Sequence, residues 1–245
     1  DLVKDSLKIR SMIGFCPQET LLYDLLNVRE NLVFSASLYS LGSQKFKERL
    51  EFSAKVLGVG EFLKRRVDKL SGGMKRRANL AASIIHDPQI VILDEPTVGF
   101  DPTIKREFWE LIKNLKNYGK TILLSTHDMY EAEAICDRVA IMEKGKIAAL
   151  DEPHVLKKEI GGEPSIHIKV KESHRKKALA ALKGHRSTMI DNEIRISTTN
   201  PWEHMNEVSN KLASEGVLTE RIEIVEPTLE DVFIKLSGRK LTEES

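Results

Sequence analysis

Two adjacent carboxylates, Asp94 and Glu95, follow directly on the aliphatic run Ile90-Val91-Ile92-Leu93. A continuous apolar run of this length, rich in β-branched side chains, predicts a strand buried on both faces, and the carboxyl end of such a strand in an open α/β sheet is where ligands bind. An acid there can hold a metal ion, and its neighbour can orient or deprotonate a water. His127 lies just past a second aliphatic strand, Thr121 to Ser125, and topology brings it to the same sheet edge as the two acids. Gln18 exits a third strand that ends at Cys16-Pro17. Ser71-Gly72-Gly73 offers a hydroxyl and bare backbone amides at a helix start, a geometry that receives phosphate without a cationic side chain. Asp101 before Pro102 is a good helix N-cap.

The elements that must position these groups can be read from spacing. Met12 to Cys16 predicts the strand before Gln18. Asn27 and Glu30 form a capping box that opens a helix reaching about Tyr39. Lys45 to Leu57 is a second helix, stopped by Gly58, and the two read as a helical insertion. In the helix opened by Ser71, the residues Met74, Ala78, Ala81, Ala82 and Ile85 make one apolar stripe, with Lys75, Arg76 and Arg77 mostly off it. Ile104, Phe108, Leu111, Ile112 and Leu115 give the core face of the helix after Asp101, and Gly119 closes it. Strand, helix and strand at this spacing predict a right-handed βαβ unit in a parallel sheet. A short helix, Met129 to Cys136, precedes a hairpin about Glu143-Lys144-Gly145, and helical pattern returns at His154 to Ile160. Gly161 to Pro164 marks a boundary. Beyond it the order βαββαβ, with a hairpin about Asp191-Asn192 and a closing helix Leu229–Leu236, fits a small ferredoxin-like domain. Its histidines, His167, His174, His185 and His204, have no ligand spacing, and Arg175-Lys176-Lys177 reads as a solvated helix face.

Composition narrows the function classes. A net charge of +1 over 245 residues supplies no bulk attraction to nucleic acid or anionic membrane. No apolar run is long enough to span a bilayer as a helix. Cys16 and Cys136 fall in no metal or redox spacing and are expected as small buried apolar residues.

The ordered set of Gln18, Leu70-Ser71-Gly72-Gly73, the aliphatic strand into Asp94-Glu95, Val98-Gly99-Phe100-Asp101 and His127 resembles the nucleotide-binding subunit of ATP-binding-cassette transporters, most closely those that energise exporters of drugs, antibiotics or polysaccharide. The resemblance implies an α/β P-loop NTPase-like cassette over residues 1–160, with a helical subdomain at about 24–88, and a small α+β accessory domain over 161–245. It implies ATP and magnesium as ligands, with Asp94 and Gln18 at the metal, Glu95 polarising the attacking water and His127 bonding the γ-phosphate. Ser71, Gly72 and Gly73 would reach the nucleotide of an opposite subunit, and Asp101 would cross that dimer interface. The implied partners are a second nucleotide-binding subunit and an integral membrane permease, at the cytoplasmic face of the cell membrane; nucleic acid is not expected. Met74 stands where the family has glutamine and Phe100 where leucine is usual. The family's G-x-x-x-x-G-K-[ST] phosphate loop does not occur in the sequence. The expectation is a piece of a longer protein whose loop lies upstream of Asp1, so that this chain alone binds ATP weakly and hydrolyses it negligibly. Two other readings are a soluble ATPase of the same superfamily, serving DNA repair or translation, and a non-hydrolysing regulatory or remnant protein.

Overall fold

The computed structural model describes residues 3–190 and 193–238. The chain packs as two compact units, one ending at Glu131 and the other beginning at Ala132.

In the first unit, helix α1 (Ser6–Met12) runs straight into strand β1 (Ile13–Cys16). Nothing in the sequence signals α1, and Asp5 at its start makes no side-chain cap. Helix α2 (Val28–Ser37) opens on the expected capping box: Asn27 accepts from the Glu30 amide at 2.9 Å, and Glu30 accepts from the Asn27 amide at 2.8 Å. Helix α3 (Ser43–Leu57) stops at Gly58, which is left-handed at φ +66°. Helix α4 (Gly72–Ile84) completes a three-helix group, in which Leu32, Leu57, Leu80 and Ile84 are fully buried. Strand β2 (Ile90–Asp94), helix α5 (Pro102–Asn117) and strand β3 (Thr121–Ser125) form the βαβ unit. The sheet order is β1-β2-β3, all parallel, with Cys16 beside Leu93 and Asp94 beside Ser125. Every strand therefore exits on one edge, which is the arrangement the chemistry needs. Gly14 makes that sheet possible: a Cβ there would lie 2.3 Å from the Ser83 carbonyl, so α4 packs backbone to backbone on β1.

Two expectations are corrected. The strands are not buried on both faces. Val91 and Leu93 are fully buried, but Ile90 and Ile92 are half-buried and Leu123 is 60% exposed. Among the described residues, β3 pairs only with β2, and Thr121, Leu123 and Ser125 on one of its faces are exposed. Nor does Arg76 sit off the packed face of α4: it is 6% exposed, because backbone carbonyls satisfy its guanidinium.

Helix α6 (Met129–Ile135) spans the break between the units. In the second unit, strands β4 (Val139–Glu143) and β5 (Lys146–Asp151) pair antiparallel about Lys144 and Gly145, both at positive φ. Helix α7 (Pro153–Leu156) continues into a π-helical turn, Lys157–Gly161. Strand β6 (Ser165–Val170), helix α8 (Arg175–Ala181), strands β7 (Ser187–Ile190) and β8 (Glu193–Ser197), helix α9 (Pro201–Ser214) and strand β9 (Thr219–Val225) follow in the expected βαββαβ order. The hairpin turn at Asp191-Asn192 lies outside the described residues. The sheet order is β7-β8-β6-β9, antiparallel throughout, and Ile166, Ile168, Ile194 and Ile196 pack with Ala178, Leu182, Val208 and Leu212. The last helix, α10 (Leu229–Ser237), packs on α7, β4 and the Lys157–Gly161 turn. The second unit therefore includes the β4–β5 hairpin and α7 as well as the four-stranded sheet.

Candidate active site

Asp94 is the last residue of β2 and lies in register with Ser125, whose hydroxyl donates to Asp94 Oδ1 at 2.6 Å. Glu95 then leaves the strand in the left-handed region at φ +43°, a conformation uncommon for any residue but glycine. Its amide donates to the Ser125 carbonyl at 3.0 Å. The turn aims the Glu95 side chain at the exit of β3, where Oε1 accepts the His127 amide at 3.0 Å and stands 2.9 Å from His127 Nδ1. A carboxylate can only accept, so Nδ1 carries the hydrogen in this pair, and Nε2 is left for a ligand, as an acceptor in the neutral ring and a donor in the imidazolium. The imidazole is 71% exposed, whereas the Glu95 side chain is 22% exposed. The expected convergence of Asp94, Glu95 and His127 on one edge is thus met by direct contact.

Gln18 joins the same edge through the backbone. Its carbonyl accepts from Arg76 Nη1 at 2.9 Å, and Arg76 also reaches the carbonyls of Asp94 at 2.8 Å, Glu95 at 3.2 Å and Pro96 at 2.9 Å. Asn79, one turn further along α4, holds the segment after Gln18: its Oδ1 accepts from the Leu21 amide at 3.2 Å, and its Nδ2 lies 3.4 Å from the Glu19 carbonyl. Sequence reasoning missed Arg76, because one arginine within the basic triplet Lys75-Arg76-Arg77 gives no sign of burial. It also missed Ser125, which the equal lengths of the two parallel strands could have paired with Asp94.

Ser71, Gly72 and Gly73 do not join this cluster. Ser71 and Gly72 stand exposed at the opening of α4, and the Ser71 hydroxyl caps the Met74 amide at 3.3 Å. Gly73 packs against α5, where a Cβ would meet Ile104 at 3.2 Å. Asp101 is exposed and caps α5 as expected, accepting from the Thr103 and Ile104 amides at 2.9 and 3.1 Å. Between Glu95 and Asp101 the loop is pinned by Thr97, whose hydroxyl donates to the buried Glu131 at 2.7 Å. The Trp109 indole donates to the same oxygen at 2.9 Å. Next to His127, Asp128 caps α6 and pairs with Lys105 at 2.6 Å. Burial pushes the Asp128 carboxyl up, but the hydrogen bond from Lys105 and the backbone bond from Glu131 outweigh it, leaving it below its ordinary value.

Among the described residues, no three His, Cys, Asp or Glu side chains gather to hold a metal. One strand-end carboxylate, Asp94, beside an exposed amide residue, Gln18, suits magnesium, which keeps waters and substrate phosphates as its other ligands.

Known proteins resemble this chain in sequence and fold. The ABC transporter family model matches residues 2–98, and the model for the C-terminal domain of DrrA1-3-like ATP-binding proteins matches residues 152–237. The linearmycin resistance ATP-binding protein LnrL of Bacillus subtilis is 32% identical over 244 residues, covering 97% of this chain and 78% of that one. The chain belongs to the ATP-binding subunits of ABC transporters. The daunorubicin resistance ATP-binding protein DrrA3 of Streptomyces coeruleorubidus is also similar to this ABC subunit, at 31% identity over 241 residues, 97% of this chain and 76% of that one. The solved structure of cbiO1 from Clostridium perfringens, described as part of the ABC transporter complex cbiONQ, overlays with a TM-score of 0.59 at 29% identity, covering 64% of this chain and 63% of that one. As an ABC subunit the protein binds and hydrolyses ATP to energise export, which favours the transporter reading over a repair or translation ATPase. Among the described residues, no helix is long and apolar enough to cross a membrane.

Proposed function

We propose that Glu95 is the base that orients and polarises the attacking water in ATP hydrolysis, and that His127 hydrogen-bonds the γ-phosphate, with Nε2 donating in the imidazolium form while Nδ1 donates to Glu95. The observation that carries this reading is the shared edge: Glu95 Oε1 and the His127 ring meet at 2.9 Å beside Asp94. In-line attack needs a water held near the γ-phosphorus, and a carboxylate fixed by two bonds from His127 is oriented before the nucleotide arrives. Asp94 and Gln18 are the residues that would hold magnesium, which when bound neutralises charge on the phosphate oxygens. The exposed Ser71 hydroxyl and the amides opening α4 are proposed to contact the γ-phosphate of a nucleotide carried by an opposite subunit, with Asp101 at that interface.

The partners proposed on this reading are a second nucleotide-binding subunit and a membrane permease, at the cytoplasmic face of the membrane. The resistance names of the relatives support a drug or antibiotic as the exported class. Residues 1–160 are read as the cassette and 161–245 as an accessory domain. The test is Glu95→Gln in the full-length subunit with its permease. Steady-state hydrolysis should collapse while MgATP binding by calorimetry persists; undiminished turnover would remove Glu95 from this role.

A further inference from the structure

The structure assigns Arg76 as a positioning residue for hydrolysis: its guanidinium clamps the exits of β1 and β2, so that helix α4, Gln18 and the Asp94-Glu95 pair move as one body. This rests on the roles proposed above for Gln18, Asp94 and Glu95.

A guanidinium has five N–H donors, and here each has its own backbone carbonyl. Nε donates to Pro96, Nη1 to Pro17 and Gln18, and Nη2 to Asp94 and Glu95. The acceptors are all main-chain oxygens of two strand exits that are far apart in sequence. The side chain is 6% exposed, so the charge is stabilised by these carbonyl dipoles rather than by water. Its planar fork fixes the angle between the two exits as well as their separation.

The clamp acts where the backbone is least relaxed. Glu95 at φ +43° sits in a region that persists only when its surroundings hold it. Its amide is held by the Ser125 carbonyl and its carbonyl by Arg76, so both sides of the strained residue are tied down. Removing Arg76 frees the carbonyl side, and the carboxylate loses its aim at His127. Asn79, three residues on, grips Leu21 and Glu19, so the same helix face controls the whole Gln18 segment. Arg76 is five residues beyond Ser71 in the same chain, about 7.5 Å along a helix axis. The opening of α4 that is proposed to serve one nucleotide is thereby tied to the acids proposed to serve another.

The experiment compares Arg76→Lys, Arg76→Gln and Glu95→Gln in the full-length subunit with its permease. A lysine keeps the charge but has three donors, so at least two carbonyls lose their partner. The readouts are kcat and KM for MgATP, the Kd of a fluorescent ATP analogue, its binding stoichiometry and the thermal melt. Turnover is expressed per bound nucleotide, which removes any unfolded fraction. Arg76→Lys should melt cooperatively and keep KM and Kd near wild type, while kcat falls about tenfold to a hundredfold, as misplacement of a reacting group does. A kcat per bound nucleotide equal to wild type in both Arg76 variants, with Glu95→Gln dead, overturns the assignment of Arg76 alone. Loss of nucleotide binding in step with kcat, or of the cooperative melt in Arg76→Lys, makes the residue structural only and also overturns it. Full turnover in Glu95→Gln removes the underlying site reading, and this inference with it.

Discussion

Glu95 and His127 approach to 2.9 Å at the edge of the parallel sheet, and His167 and Glu193 approach to 3.6 Å on the antiparallel sheet of the second unit. The second pair sits in regular backbone, with His167 beside Arg195 and Lys169 beside Glu193. Both of its ring nitrogens are engaged, one facing Glu193 and the other 3.0 Å from the Ser165 hydroxyl. Glu193 is itself shared with Arg221 at 2.9 Å. Burial, then Arg195, holds the His167 imidazole below its ordinary pKa against the pull of Glu193. His167 is 13% exposed where His127 is 71% exposed. A histidine–glutamate contact therefore says little on its own. At Glu95 it supports the proposed site because the chain leaves a strand there in a strained conformation and one ring nitrogen is left open; on the second sheet it closes a set of cross-strand pairs.

Mutation can break this contrast or sharpen it. Glu95→Gln should cost about 10²–10⁴-fold in turnover, the range for a positioned general base, with nucleotide binding retained. His127→Ala removes one preorganised donor and should lower kcat by about 10²–10³-fold in the same assay. Thr97→Val takes a hydroxyl from the buried Glu131 and should cost about 1–3 kcal/mol in a chemical denaturation series. Lys105→Met tests the ground beside His127 through pH. The folded Asp128 carboxyl lies below its unfolded value of about 3.9, so its contribution to stability is full above that pH and lost as acid carries it through the lower folded value. Without Lys105, burial pushes that carboxyl up, and the acid limb of stability should begin at a higher pH in unfolding curves collected across that range. His167→Ala should change stability by less than about 1 kcal/mol, the scale of a cross-strand pair, and leave kcat untouched. A large catalytic loss there would erase the contrast.

Much of this was legible in the chain because local physics and tertiary structure agree. The Asn27 and Asp101 caps, the Gly58 and Gly119 stops and the βαββαβ order each rest on short-range geometry. The meeting of Asp94, Glu95 and His127 followed from parallel topology, which converts strand exits into one edge. Arg76, Ser125 and the Thr97–Glu131–Trp109 contacts were not legible. They are side-chain bonds across long sequence separations, and no periodicity encodes them. The exposure of Leu123 escaped for a related reason: an aliphatic run reports what a strand can bury, not whether a second layer covers it.

The turn at Glu95 has a consequence for how this position is selected. Left-handed backbone costs a side chain with a Cβ roughly 1–2 kcal/mol that glycine does not incur. Glu95→Gly should therefore raise the melting temperature while abolishing hydrolysis, and a screen for heat tolerance alone would drift toward that silent form. On the role proposed for Glu95, the subunit tolerates a weaker fold at residue 95 in exchange for a carboxylate aimed at His127.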